Sequence, residues 1–160
     1  MGEDSTESGM GMASLSRAIQ HDVAEKLRKK GWFAERRCVI IEQNEQRLSY
    51  LIRQKVGELV GPVVVVAVDA MRNNFPAVEV DVTVNVTEVV VLNREQGVFA
   101  SAIEVAEEAV AALDGAELHW QEMRHETPGD GVLTCSVRFS GMFSRRVAAG
   151  DGDGECDDEI

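Results

Sequence analysis

The most regular stretch of the chain is VEVDVTVNVT, residues 78–87. Valine fills every even position, and Glu79, Asp81, Thr83, Asn85 and Thr87 fill the odd ones. Side chains of a strand alternate between its faces, so a period of two predicts a long strand with one valine face and one polar face. It opens at Pro76 and continues to about Leu92. Other segments have helical spacing. Leu15, Ile19, Val23 and Leu27 recur every four residues after Ser14. They predict a helix to about Lys30, with Lys26, Arg28, Lys29 and Lys30 in its last turn and Gly31 as its stop. Residues 44–59 predict a second helix, with Leu48, Leu51, Ile52, Val56 and Leu59 on one face. Ser101-Ala-Ile-Glu104 has capping-box spacing and opens a third. There Phe99, Ala102, Ile103, Ala106, Val110 and Leu113 share a side.

Strands are expected at CVII (38–41), at VVVVAV (63–68), at 118–123 and at 133–139. The valine run is apolar on both faces, which places it inside a sheet covered on both sides or against a partner. In the last strand Leu133, Cys135, Val137 and Phe139 alternate with Thr134, Ser136 and Arg138. Turn signals fall at Gly61-Pro62, Asn73-Asn74 and 127–131. The order is then α-β-α-β-β-α-β-β. It implies an α+β domain: a mainly antiparallel sheet of four to five strands with helices on one face.

Composition sharpens the boundaries. The 160 residues suffice for one domain with a real core. Hydrophobic residues at 44% and charged residues at 28% suit a globular chain, and only 5% aromatics point to an aliphatic core. The net charge is −12, but residues 1–12 carry −3 and residues 151–160 carry −6, leaving −3 for the middle. Polar, glycine-containing residues 1–12 and acidic residues 148–160 read as disordered tails around a domain at 13–147. No run approaches the roughly 18 apolar residues of a membrane span. The acidic, polar start argues against a secretory signal. Cys38, Cys135 and Cys156 are odd in number and widely spaced, which fits a reduced, intracellular setting. An acidic chain without a basic run argues against general binding to phosphate backbones.

Candidate chemistry is sparse. His21, His119 and His125 lack zinc-ligand spacing, and Cys135 shares a side with Leu133 and Val137, which marks it as core. No nucleophile elbow, phosphate loop, dinucleotide fingerprint or zinc-protease motif occurs, and no cofactor is expected. Asp69, Glu79 and Asp81 are the carboxylates best placed for Mg²⁺, as in a metal-dependent nuclease. Against that alternative, no lysine follows Lys55 to complete the usual acidic pair. The acidic tail DGDGECDDE lacks the glycine and glutamate positions of a calcium loop. The odd-numbered face of residues 78–87 has two readings: a solvated sheet face, or a subunit contact. In the second, Arg36, Arg37 or Arg138 of a neighbour answers Glu79 and Asp81, while Thr83, Asn85 and Thr87 supply hydrogen bonds.

Four features together resemble the tail terminator, or tail completion, proteins of long-tailed bacteriophages and prophages. They are the leading amphipathic helix with its stripe from Ala18 to Leu27, the Phe75-Pro-Ala-Val78 lead-in to a long alternating strand, the Ala/Glu-rich helix at 101–113, and a strand pair at 119–124 and 132–139 joined by an acidic Pro-Gly turn. The likeness is one of order and texture over residues 14–143. The helix at 44–59 and the acidic tail depart from the simplest members, and a neighbouring neck, connector or tail-assembly factor is the nearby alternative. The resemblance implies a structural, non-catalytic virion protein. It implies a homo-oligomeric ring, usually of six copies, seated on the tail tube protein. Such a ring stops tube polymerisation and meets the head-side connector. DNA passes through its lumen without specific binding, and assembly takes place in the host cytoplasm.

Overall fold

Apolar stripes and alternating strands become elements at nearly the expected places. The computed structural model describes residues 12–43, 61–89, 100–115, 117–129 and 131–144. Helix α1 is Met12–Arg28, with Leu15, Ile19, Val23, Ala24 and Leu27 buried. Gly31, expected as a stop, instead opens a five-residue helix α2, Gly31–Glu35. Lys30 before it is extended, which breaks α1 and lets α2 turn Phe33 into the core. The helix expected over residues 44–59 lies outside the described residues, as do Phe99, residues 1–11 and the C-terminal tail; Met12, expected in the N-terminal tail, opens α1.

Strands β1 (Val39–Glu42), β2 (Val63–Asn74), β3 (Ala77–Val89), β4 (Leu118–Gly129) and β5 (Val132–Ser144) form one sheet in the order β1-β2-β3-β5-β4. β2–β3, β3–β5 and β4–β5 are antiparallel. β1 runs parallel to β2, with Val39 opposite Val63. The sheet is therefore mixed, not uniformly antiparallel, and among the described residues the order is α-α-β-β-β-α-β-β. Asn73 and Asn74 do not form the turn. They end β2, and the two-residue turn is Phe75-Pro76, whose peptide bond is cis.

Helix α3, Ala102–Leu113, has the reciprocal capping box: Glu104 N–H donates to Ser101 Oγ at 3.2 Å, and Ser101 N–H donates to Glu104 Oε1 at 3.0 Å. Its buried face is Ala102, Val105, Ala106, Ala109 and Leu113, while Ile103 and Val110 pack at the margin. Helices α1 and α3 pack on the same side of the sheet. There they meet Val78, Val80, Val82, Val84 and Val86 of β3 and Cys135, Val137 and Phe139 of β5, all essentially without exposure. The valine period of two is thus the floor of the core. Val64 and Val66 of β2 join it, whereas Val63 and Val65 point the other way and pack with Ile41 and Val39. Both faces of this run are buried, as its lack of alternation implies.

Gly141 is needed where β4 begins: a Cβ there would strike the Glu117 carbonyl oxygen. Among the described residues no helix is long and apolar enough to cross a membrane.

Candidate interaction surface

Two β-bulges decide what the sheet shows on the side away from α1 and α3. In β2 the register slips between Val68 and Ala70, so Asp69 is the extra residue. Before the bulge, odd residues of β2 share a face with the odd residues of β3. After it, even ones do: Ala70 lies opposite Asp81 and Arg72 opposite Glu79. A bulge re-aims every side chain beyond it. Without this one, Arg72 would point into the valines. In β4 the slip between Trp120 and Glu122 does the same. Leu118 faces the core before it, and Glu122, Arg124 and Glu126 share the polar face after it, opposite Arg138, Ser136 and Thr134.

The result is a charged and hydroxylated surface across β2, β3, β5 and β4. Arg72 Nη2 is 2.9 Å from Asp81 Oδ1, and its Nε is 3.4 Å from Glu79 Oε1. Ser140 Oγ donates to Asp81 at 3.1 Å. The Arg72 guanidinium, aided by Ser140, holds the Asp81 carboxyl below the usual carboxylate range. Asp81 and Glu79 in turn push Arg72 up, so it stays charged throughout. Thr83 Oγ1 donates to Asp69, and Ser136 Oγ to Asn85 Oδ1. Arg138 Nη2 reaches Glu122 Oε1 at 3.2 Å, and Arg124 Nη2 reaches Glu122 Oε2 at 2.9 Å. Between these groups lies an open depression of about 260 Å³, lined by Thr83, Glu122, Arg124, Glu126, Ser136 and Arg138.

The expected site residues therefore divide. Glu79, Asp81, Thr83, Asn85 and Thr87 lie along one face of β3, half-exposed, and Arg138 sits beside Thr83 on β5. Arg36 and Arg37 lie elsewhere, between α2 and β1. The Arg36 guanidinium stacks 4.2 Å over the Trp32 ring and donates to the Trp32 carbonyl at 3.2 Å. Arg37 is left-handed, with φ of 58°. The cation that answers Glu79 and Asp81 is Arg72 of the same chain. Sequence reasoning missed it, together with Glu122, Arg124, Ser136 and Ser140. Counting back from the two-residue turn would have found it, since 74 pairs with 77 and hence 72 with 79.

The carboxylates of the nuclease alternative do not form a metal site. Arg72 bridges Glu79 and Asp81, and Asp69 is turned to Thr83. Among the described residues no group of three or more His, Cys, Asp or Glu side chains converges to hold a metal. His21 Nδ1 meets Glu42 Oε2 at 2.9 Å, a contact that ties α1 to β1. Cys135 is fully buried, and burial pushes its thiol up; burial takes Cys38 to about 12.

No protein-family model matches this chain, and no curated protein matches it either.

Proposed function

We propose that the chain is a structural subunit of a bacteriophage tail, closing with copies of itself into a ring on the tail tube. The polar sheet face carries this reading. Three neighbouring strands of twelve or thirteen residues present it, and both bulges turn charged side chains onto it. Glu79, Asp81 and Glu122 already pair with Arg72, Arg124 and Arg138 within the subunit, so the face is wet and hydrogen-bonding, with a small acidic excess from Asp69 and Glu126. Such a surface suits a repeated, specific contact better than non-specific adhesion. The helices and strands that carry the family resemblance occur in the expected order, although Pro128 and Gly129 end β4 and do not form the turn. At the β2–β3 turn Phe75 is 75% exposed, with Met142 also exposed nearby, which offers an apolar anchor at one end of the subunit.

In this role the protein caps tube polymerisation on one side and meets the head connector on the other. The DNA in the lumen passes an acidic chain that does not grip phosphates. A closed ring of identical subunits needs heterologous contacts, two different patches on each copy. The test is native mass spectrometry of the purified protein over a range of concentrations, alone and with tube protein. A discrete assembly near six copies is expected. A chain that stays monomeric in both settings overturns the ring.

A further inference from the structure

The densest run of basic residues in this acidic protein covers the end of α1 and α2. Between Glu25 and Arg37 six lysines and arginines stand against two acids. Beside this stretch, where α1, α2 and β1 meet, lies a groove of about 270 Å³ lined by Arg28, Phe33, Ala34, Cys38 and Ile40; Lys26 is paired with Glu117. Arg28 is committed: it bonds Glu25 at 2.7 Å, Glu42 at 3.1 Å and the Ile40 carbonyl at 3.1 Å. Lys29 and Lys30, on the connection between the two helices, are exposed, and neither has an acid within ion-pair distance among the described residues. Arg36 stacks on Trp32 and lies 3.5 Å from Glu35 Oε1. The strongest concentration of opposite charge lies in the same chain: Asp151, Asp153, Glu155, Asp157, Asp158 and Glu159.

We propose that the acidic segment 151–159 of one copy docks on the exposed Lys29 and Lys30 and the adjoining groove of a second copy. The inference rests on the ring reading and supplies one of its two unlike patches. Charge complementarity names the occupant. Geometry favours a neighbour over the same chain. Ser144 ends β5 opposite Ala77, at the turn end of β3. The groove lies at the other end, where Val39 pairs with Val63 and Val63 with Thr87. Ten residues of strand span about 34 Å, and three strand spacings add about 14 Å sideways, so the separation is about 37 Å. The chain from Ser144 to Asp151 reaches at most about 25 Å when fully extended, and to Asp153 about 32 Å. In its own subunit Asp151 and Asp153 fall short of the groove, whereas Glu155 to Glu159, with a reach of about 40–54 Å from Ser144, do not. A copy packed end to end presents all six.

The test is carbodiimide cross-linking of the full chain, mixing heavy-nitrogen-labelled with unlabelled copies and mapping the linked peptides by mass, with light scattering on the same sample. Lys26 and Glu117, 2.8 Å apart, give an internal control that must appear with matched labels. Links from Lys29 or Lys30 to acids of 151–159 are expected with mixed labels. They should vanish in Lys29→Glu/Lys30→Glu, in Asp157→Asn/Asp158→Asn, and in about 1 M salt, where screening acts beyond about 3 Å. The exposed positions of the lysines leave the fold unaffected. An assembly without these links overturns the inference and leaves the ring standing. Links with matched labels only mean a contact within one chain and also overturn it. A monomer at every concentration, alone and with tube protein, overturns both.

Discussion

Arg72 shows how much one side chain settles on this surface. It neutralises two carboxylates that would otherwise repel each other across adjacent same-face positions. Its effect is local and solvent-screened, because it is about half exposed. Arg72→Ala is therefore expected to lower the urea midpoint only slightly. It should also raise the Asp81 carboxyl back toward its ordinary range. The sign follows from linkage: a folded carboxyl held below its unfolded value of 3.8 contributes stability above that pH and loses it as pH falls through the folded value. Acid unfolding of the parent chain should thus carry a contribution below about pH 4 that the variant lacks. Carboxyl titration by NMR reads it, and an unmoved Asp81 would remove Arg72 as the cause. Glu88 is a second residue with an outsized role. It continues the even-numbered core stripe beyond Val86, is buried, and accepts the Ala102 N–H at the start of α3. An anion there also suits the helix dipole. Glu88→Ala should cost about 1–3 kcal/mol by orphaning a buried donor. Glu88→Gln keeps an oxygen in place and should cost less. Urea midpoints at unchanged slope distinguish them, and equal losses would mean that acceptance of that N–H is not what matters.

At the scale of elements the two bulges matter most. Deleting Asp69 removes the extra residue and leaves Ala70 opposite Asp81 and Arg72 opposite Glu79, so Arg72 keeps its face. That variant should fold by circular dichroism, with the Asp81 carboxyl still held below its usual range by Arg72. Asp69→Ala keeps the bulge, loses one exposed hydrogen bond, and should unfold within about 1 kcal/mol of the parent. If the deletion fails to fold, Asp69 does more than shift the phase of β2. This is also where sequence reading stops. The β3 alternation, the capping box and the α1 stripe are local patterns, and each appears in the structure where its spacing put it. A phase reversal in the middle of a strand erases the very alternation used to detect it, so VVVVAVDAMRNN reads as a short buried strand and not as twelve residues ending on a charged face. The parallel β1–β2 pair was missed for a different reason. A helix expected between two strands is the usual mark of a parallel crossover, but the antiparallel texture of the remaining sheet outweighed it. Arg36 and Arg37 were placed by charge alone, and charge does not say which end of a sheet a residue occupies.

For the whole molecule the question is whether the polar face is read by a neighbour or only by water. Glu79→Lys with Asp81→Lys tests this only in part, because the two new lysines also repel Arg72. Adding Arg72→Glu restores alternation with every sign inverted. Within one subunit the triple variant has equivalent pairs, and its stability should return to within about 1 kcal/mol of the parent, as expected for exposed pairs. A neighbouring copy meets a reversed pattern: where it offered Arg138 or Arg124 to an acid, it now faces a lysine, and like charges across an interface cost several kcal/mol. The expected outcome is a folded triple variant that no longer assembles, with urea unfolding and native mass spectrometry read on one preparation. Assembly unchanged in a stable triple variant would mean that Glu79 and Asp81 face solvent in the ring, and the subunit contact would have to lie at the Phe75 end or along the basic groove.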